Sequence, residues 1–366
     1  MSLKILSKEK LLFAFLIILL LLNINLKYYN IKIKKFNYYN EKDNKSVFEK
    51  IELANSLLKI FAELYDYSRG GYKKPRFSRV NKNYSITKKK LNICICAIGK
   101  DENLYVKEFV DYYIKLGVDK IFIYDNNDIE GENFDIILDY YIKHKKVEII
   151  DIRGLSSIQM PIYNYCYRKN KGFYDWIGFL DFDEFLFIKS KESIKNYFYN
   201  HERFNKCQTI FFNWIMYNDN NLIKYDNRSL IERFKKPTLN FYQGKSFVRG
   251  KIDDLFIPTT HLVGINIKQF CNSNGELIYP NDFYGHKFEK KPKAYIKHYY
   301  TKTVEEFCDK VNKGNSHFHK NHTKYNIFTI GRIKLFFELN KPTKQKMNII
   351  EKCTGIKIKK NFLKHK

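Results

Sequence analysis

The sequence contains no Cys-x-x-Cys pair, which removes the ligand spacing of common zinc sites. It has no RNP-like or zinc-finger segment, so a nucleic-acid reading rests on charge alone. No internal repeat is visible. Carboxylates are scarce, with 39 Asp and Glu against 66 Lys and Arg, for a formal net charge of +27. Such an excess attracts anionic partners: nucleic acid, an anionic membrane face or a phosphorylated substrate. The basic residues are scattered through the chain rather than gathered in one stripe, which reads as a solvated lysine surface.

What is present starts with 366 residues, enough for one large catalytic domain or two small ones. Hydrophobic residues make up 44% and support a sizeable core. The wealth of Tyr, Phe, Lys, Asn and Ile looks like a coding bias toward A and T, and no cofactor follows from it. There are seven cysteines. Cys94 and Cys96 alternate along an apolar run and share one face. Their scatter and odd number read as buried free thiols, alone or with one disulfide.

Residues 1–10 carry Lys4, Lys8 and Lys10, and a continuous apolar run from Leu11 to Leu22 is extended by Leu26, past Asn23 and Asn25, to give a segment at 11–26. Sixteen helical residues extend roughly 24 Å, somewhat short of a ~30 Å hydrocarbon core. No small-x-small cleavage site follows, so the run reads as an uncleaved transmembrane signal anchor. Lysines flank both ends. A cytoplasmic N-terminus with the remaining chain in a lumen, Golgi-like in a eukaryote, is the expected type II orientation. Residues 27–90 read as a stem, with helical periodicity from Phe48 to Tyr65 and turn formers from Arg69 to Lys90.

From Leu91 onward, strands and helices alternate. Leu91–Ile98, Lys120–Tyr124, Val147–Ile150 and Trp176–Leu180 read as buried strands. Leu104–Leu116, Phe134–Ile142 and Ile158–Arg168 carry helical spacing. This predicts an α/β domain with a mostly parallel sheet covered by helices on both faces. Ligands of such sheets bind beyond the carboxyl ends of the strands. Three polar segments fall there: Lys100-Asp101-Glu102, Asp125-Asn126-Asn127-Asp128 and Asp181-Phe182-Asp183-Glu184. Asp181 and Asp183, two apart on extended chain, can share a face. Close carboxylates repel unless a cation sits between them. A hard divalent ion held by such a DXD motif clamps phosphates and stabilises a departing diphosphate. The other reading is a solvated strand end.

With these residues in place, the chain resembles glycosyltransferase family 92 and its bacterial relatives, which have the GT-A fold. The matching segments, in order, begin with Lys100-Asp101-Glu102, Tyr124-Asp125-Asn126, Gln159 and Cys166. Trp176 to Phe185, Asn213-Trp214, Ile231 to Phe234, Lys245-Ser246, His261 and Ile296 to Lys302 follow. The resemblance covers residues 91–314, and residues 315–366 form a basic C-terminal extension. It implies manganese or magnesium bound by Asp181, Asp183 and His298. It implies a nucleotide diphosphate sugar held by Lys100, Glu102, Asp125, Asn126, Gln159, Asp181 and Lys302. Lys302 would face the diphosphate if the stretch after His298 is a helical turn. Trp214 and His261 are placed at the sugar or acceptor, although either could be core, as could His298. Cys166 reads as core.

The implied activity is transfer of a sugar, galactose by analogy, to a glycan or glycoconjugate with inversion. Inversion needs a general base on the acceptor hydroxyl. Asp219, Glu232, Asp253 and Asp254 are candidates, with Glu232 preferred for its place in a matched motif. Two other classes stand beside the enzyme: an inactive nucleotide-sugar-binding homologue, and a basic nucleic-acid binder. Asp101 departs from the family's Asn, and Met216 to Asn221 lacks its Phe-Gly.

Overall fold

A computed structural model describes residues 41–68, 91–155, 158–199, 201–252, 255–257, 259–261, 269–278, 289–313 and 325–358. The apolar run at 11–26 lies outside them, as does Arg69 to Lys90. Among the described residues no helix is long and apolar enough to cross a membrane.

The chain divides into two units, residues 1–76 and 77–366. In the first, α1 (Glu41–Ser68) aligns Leu53, Leu57 and Ile60 on one face by their i, i+4, i+7 spacing. It is longer than the predicted helix.

The second unit opens with β1 (Ile93–Gly99), all but one of whose residues are buried. Then come α2 (Asn103–Leu116), β2 (Lys120–Asp125), α3 (Phe134–Lys143), β3 (Val147–Asp151), α4 (Gln159–Asn170) and β4 (Trp176–Phe179). Each lies within two residues or so of its predicted span. The helix periods hold: Val106, Phe109, Val110 and Tyr113 of α2 face the core, and Gly117 ends the helix at a φ of 106°.

The remaining elements are β5 (Glu184–Ile188), α5 (Ile194–Tyr199), α6 (His201–Phe204), β6 (Thr209–Tyr217), α7 (Leu230–Arg233), β7 (Pro237–Arg249), β8 (Phe270–Cys271) and β9 (Ala294–His298). Last come α8 (Val304–Asn312), α9 (Tyr325–Leu339) and α10 (Lys344–Thr354). The sheet runs β3-β2-β1-β4-β7-β6-β9-β5, with β8 beside β6. The β3-β2-β1-β4 half is all parallel. β7 pairs antiparallel with β4 and with β6, and β5 antiparallel with β9. The fold is thus mixed α/β with a mostly parallel sheet.

Two features correct the sequence reading. The cysteines form three disulfides, Cys96–Cys166, Cys207–Cys271 and Cys308–Cys353, and among the described residues Cys94 alone is free. The partners lie 45 to 70 residues apart, so no local spacing announces them. And His298 ends a strand, with no helical turn after it: Lys302 sits at a φ of 51° in the turn ahead of α8.

The C-terminal helices have their own apolar core of Val304, Phe307, Val311, Ile333, Phe336 and Ile350. α8 starts with a capping box between Thr303 and Glu306. Glu306 also receives two hydrogen bonds from the buried Arg233, at 2.7 and 3.0 Å, and one from Tyr105 at 2.6 Å. The Glu-Arg-Phe segment therefore fastens α7 to α8.

Candidate functional site

The carboxyl ends of β1, β2 and β3 are in register, with Gly99 beside Asp125 and Asp125 beside Asp151. β4 ends next to them and turns sharply into β5 through Leu180 to Asp183. Alternation decides the turn: Phe182 goes into the core, 5.1 Å from the Phe109 ring, and leaves Asp181 and Asp183 at the rim. Gly99 makes room for it, since a Cβ there would run into the Phe182 ring.

The two aspartates have different partners. Asp181 accepts hydrogen bonds from Gln159 at 3.1 Å, Tyr163 at 3.2 Å and Lys245 at 2.8 Å. The Lys245 side chain is wholly buried and also lies 3.5 Å from Glu184. Asp183 meets Lys310 at 2.8 Å through one oxygen and His298 Nε2 at 3.5 Å through the other. Lys310 also donates to the Tyr300 carbonyl at 3.1 Å. Behind them, Glu102 pairs with Lys313 at 2.6 Å and stands 3.5 Å from Lys302. Lys302 lies 3.6 Å from the centre of the Tyr105 ring.

Burial raises the carboxyl pKa of Asp181, but Lys245 overturns this and leaves it below the ordinary range. The same contest at Asp183, against Lys310 and His298, ends well below that range. Glu184 goes the other way: burial and the two nearby aspartates hold it well above. Burial lowers His298 despite Asp183, which favours the neutral imidazole that ligates metals.

The structure sorts the sequence candidates. Gln159, Asp181, Asp183, His298, Glu102 and Lys302 come together. Trp214 lies beside them, 4.4 Å from the His298 ring and 5.1 Å from His261. The Trp214 indole nitrogen, His298 Nδ1 and Thr301 hydroxyl are buried with no hydrogen-bond partner among the described residues. Lys100 instead pairs with Asp128 at 2.6 Å near the surface. Asn126 donates to the Ile152 and Leu155 carbonyls and props the loop after β3. Asp125 is buried, accepts from the Asn127 amide, and has its pKa raised by burial. Asp101 adopts a φ of 52°, a region that Asn and Asp both tolerate, so its exchange for Asn is conservative there.

The candidate bases fare differently. Glu232 is exposed and its carboxylate closes the capping box of α7 with Ser229. Asp219 is locked to Lys346 at 2.6 Å, both side chains buried. Asp253 and Asp254 lie outside the described residues. Lys310 and Lys313 escaped the sequence reading, because nothing marks two lysines in so basic a chain. Tyr163 and Lys245 escaped as site residues too, though Lys245 lay in a matched segment.

Among the described residues no three His, Cys, Asp or Glu side chains stand together as a metal cage. Asp183 and His298 do offer one oxygen and one nitrogen side by side. That fits an ion whose other ligands are phosphates and water.

Residues 89–334 match the family model described as glycosyltransferase family 92. The chain belongs to that family. Similar curated proteins include a family 92 protein of Ricinus communis, 28% identical over 108 residues, covering 28% of this chain and 19% of that protein. Another, from Oryza sativa subsp. japonica, is 24% identical over 123 residues, covering 34% of this chain and 20% of that protein. The matched stretches thus span about a fifth of those relatives. Among solved structures, S. aureus TarS 1-349 in complex with UDP-GlcNAc aligns with a TM-score of 0.35 and 10% identity, covering 72% of this chain and 80% of that one. Mannosyl-3-phosphoglycerate synthase from Rubrobacter xylanophilus aligns at 0.24 and 11%, covering 44% and 53%.

Proposed function

We propose that this chain is a glycosyltransferase of GT-A type that moves a sugar from a nucleoside diphosphate to a glycan or glycoconjugate, with inversion. The observation that carries the reading is the pairing of Asp183 with a buried His298 at the strand ends, ringed by lysines. Family membership supports it. Asp183 and His298 would hold manganese or magnesium. Bound there, the ion would neutralise charge that builds on the leaving diphosphate. Asp181 is held by three donors and fixes the β4–β5 turn that aims Asp183. Glu102 and Lys302 flank the nucleotide side, and the buried Trp214 packs behind His298 and His261.

The N-terminal apolar run would tether the enzyme to a membrane with the catalytic unit on its lumenal face. Three disulfides agree with such an oxidising compartment.

The test is a panel of nucleotide sugars, UDP-galactose first, with manganese and a mixed glycan acceptor, scoring released diphosphate. Asp183→Ala is expected to reduce release by more than about a hundredfold. Equal release from both proteins would remove the metal assignment, and release from neither with any donor would remove the enzyme.

A further inference from the structure

The lysines of the site are of two kinds. Lys245 has no exposed side-chain surface and Lys302 only 5%, so both are fixed counter-ions. Lys310 keeps 19% exposure and Lys313 keeps 24%. Lys313 is tied to three oxygens, the Glu102 carboxylate and the carbonyls of Lys100 and Asp101, and thereby closes the loop after β1. Lys310 is held by one carboxylate and one carbonyl, with its ammonium 4.1 Å from the centre of the Tyr300 ring, on a flexible four-carbon stem.

The ammoniums of Lys245, Lys302, Lys310 and Lys313 lie among the carboxyl groups of Glu102, Asp181, Asp183 and Glu184. A diphosphate adds negative charge to this cluster. If it enters with a divalent ion that takes Asp183, the Lys310 ammonium is released at that moment. A released ammonium in a buried site needs a new anion. His298, whose Nε2 faces Asp183, has a buried Nδ1 with no hydrogen-bond partner among the described residues.

Resting on the glycosyltransferase reading above, we propose that Lys310 holds the metal's place on Asp183 in the free enzyme and moves onto the diphosphate when ion and donor bind. The α8 backbone stays fixed while the side chain moves. Cys308 lies two residues before Lys310, roughly 200° around the helix, and its disulfide to Cys353 secures the opposite face.

The exchange makes two effects of opposite sign. Isothermal titration of the full chain would compare wild type with Lys310→Met and Lys310→Gln, using manganese alone, then UDP or UMP with saturating manganese. Manganese alone is expected to bind the variants more tightly, since its competitor is gone. UDP is expected to bind them roughly tenfold to a hundredfold more weakly, the worth of a charge-assisted hydrogen bond. UMP, which lacks the second phosphate, should change little. Unchanged or tighter UDP binding, or weaker manganese binding, would overturn the exchange. Wild type that binds no nucleoside diphosphate would overturn the reading beneath it. The glutamine variant retains a polar tip for the Tyr300 carbonyl, so loss of fold in the methionine variant leaves the comparison standing.

Discussion

Asp181 and Asp183 carry the same charge two positions apart, yet their surroundings give them different tasks. Asp181 accepts from Gln159, Tyr163 and Lys245, whereas Asp183 shares its oxygens between a partly exposed lysine and a neutral imidazole. Lys245 is the residue on which the pair depends. Replacing it with Met would leave the buried Glu184 and Asp181, whose side chain keeps 34% exposure, without their cation. Breaking a fully buried pair costs about 3–5 kcal/mol, and the water that reaches Asp181 reduces this to about 2–3 kcal/mol. Lys245→Met is therefore expected to lose that much stability in urea, measured by fluorescence. Asp181→Asn, which keeps the shape and removes one charge, should lose less. Equal loss would mean that the charge of Asp181 is not what Lys245 balances. At this scale the sequence disclosed the aspartates, because the apolar strand before them and Phe182 between them fix their direction. It did not disclose Lys310, which sits 127 positions from the carboxylate it meets.

At the scale of elements, the site hangs on how β1 approaches the β4–β5 turn and on how α8 is seated. Gly99→Ala would push its Cβ into the Phe182 ring, which is packed against Phe109 and Phe134 and cannot yield cheaply. We expect a loss of about 1–3 kcal/mol, as for overpacked cores, together with a fall in kcat from the displaced aspartates. Normal kcat would show that the turn tolerates the shift. α8 is held from below by Glu306. Burial raises its carboxyl pKa, but the hydrogen bonds from Arg233 and Tyr105 bring it below the ordinary 4.5. A folded-state value below the unfolded one means that this stabilisation is complete above the ordinary value and is lost as pH falls through the lower one. Glu306→Gln is expected to flatten that acid limb of the stability profile, and an unchanged slope would place the acid sensitivity elsewhere. From the other side, Cys308–Cys353 closes a loop of 45 residues, worth about 4 kcal/mol by chain entropy. Cys353→Ser should lower the melting temperature and weaken diphosphate binding together; a fall in stability alone would separate the disulfide from the site.

For the whole molecule, three long-range disulfides and a sheet that changes direction after β4 make the fold dependent on contacts far apart in sequence. Chain made under reducing conditions is expected to be poorly soluble and to regain a cooperative unfolding transition only after oxidation. Full stability without oxidation would contradict the disulfide framework. The parallel half of the sheet was legible from Leu91 to Leu180, because each strand is a short apolar run and each helix repeats its apolar face every three to four residues. The second half was not. Its strands β5 to β9 pair across long loops, and pairing order leaves no periodic trace in the residues themselves.

The amino-acid sequence by itself determined the local matters: which segments between Leu91 and Leu180 are strands, where the aspartates emerge, and which family signature they form. Those follow from periodicity and from side-chain alternation, both of which act between near neighbours. Only the tertiary structure decided which lysine answers which carboxylate, which cysteines join, and that Glu232 closes a cap. Such pairings depend on distance in space, and chain folding brings together residues whose separation in sequence carries no message.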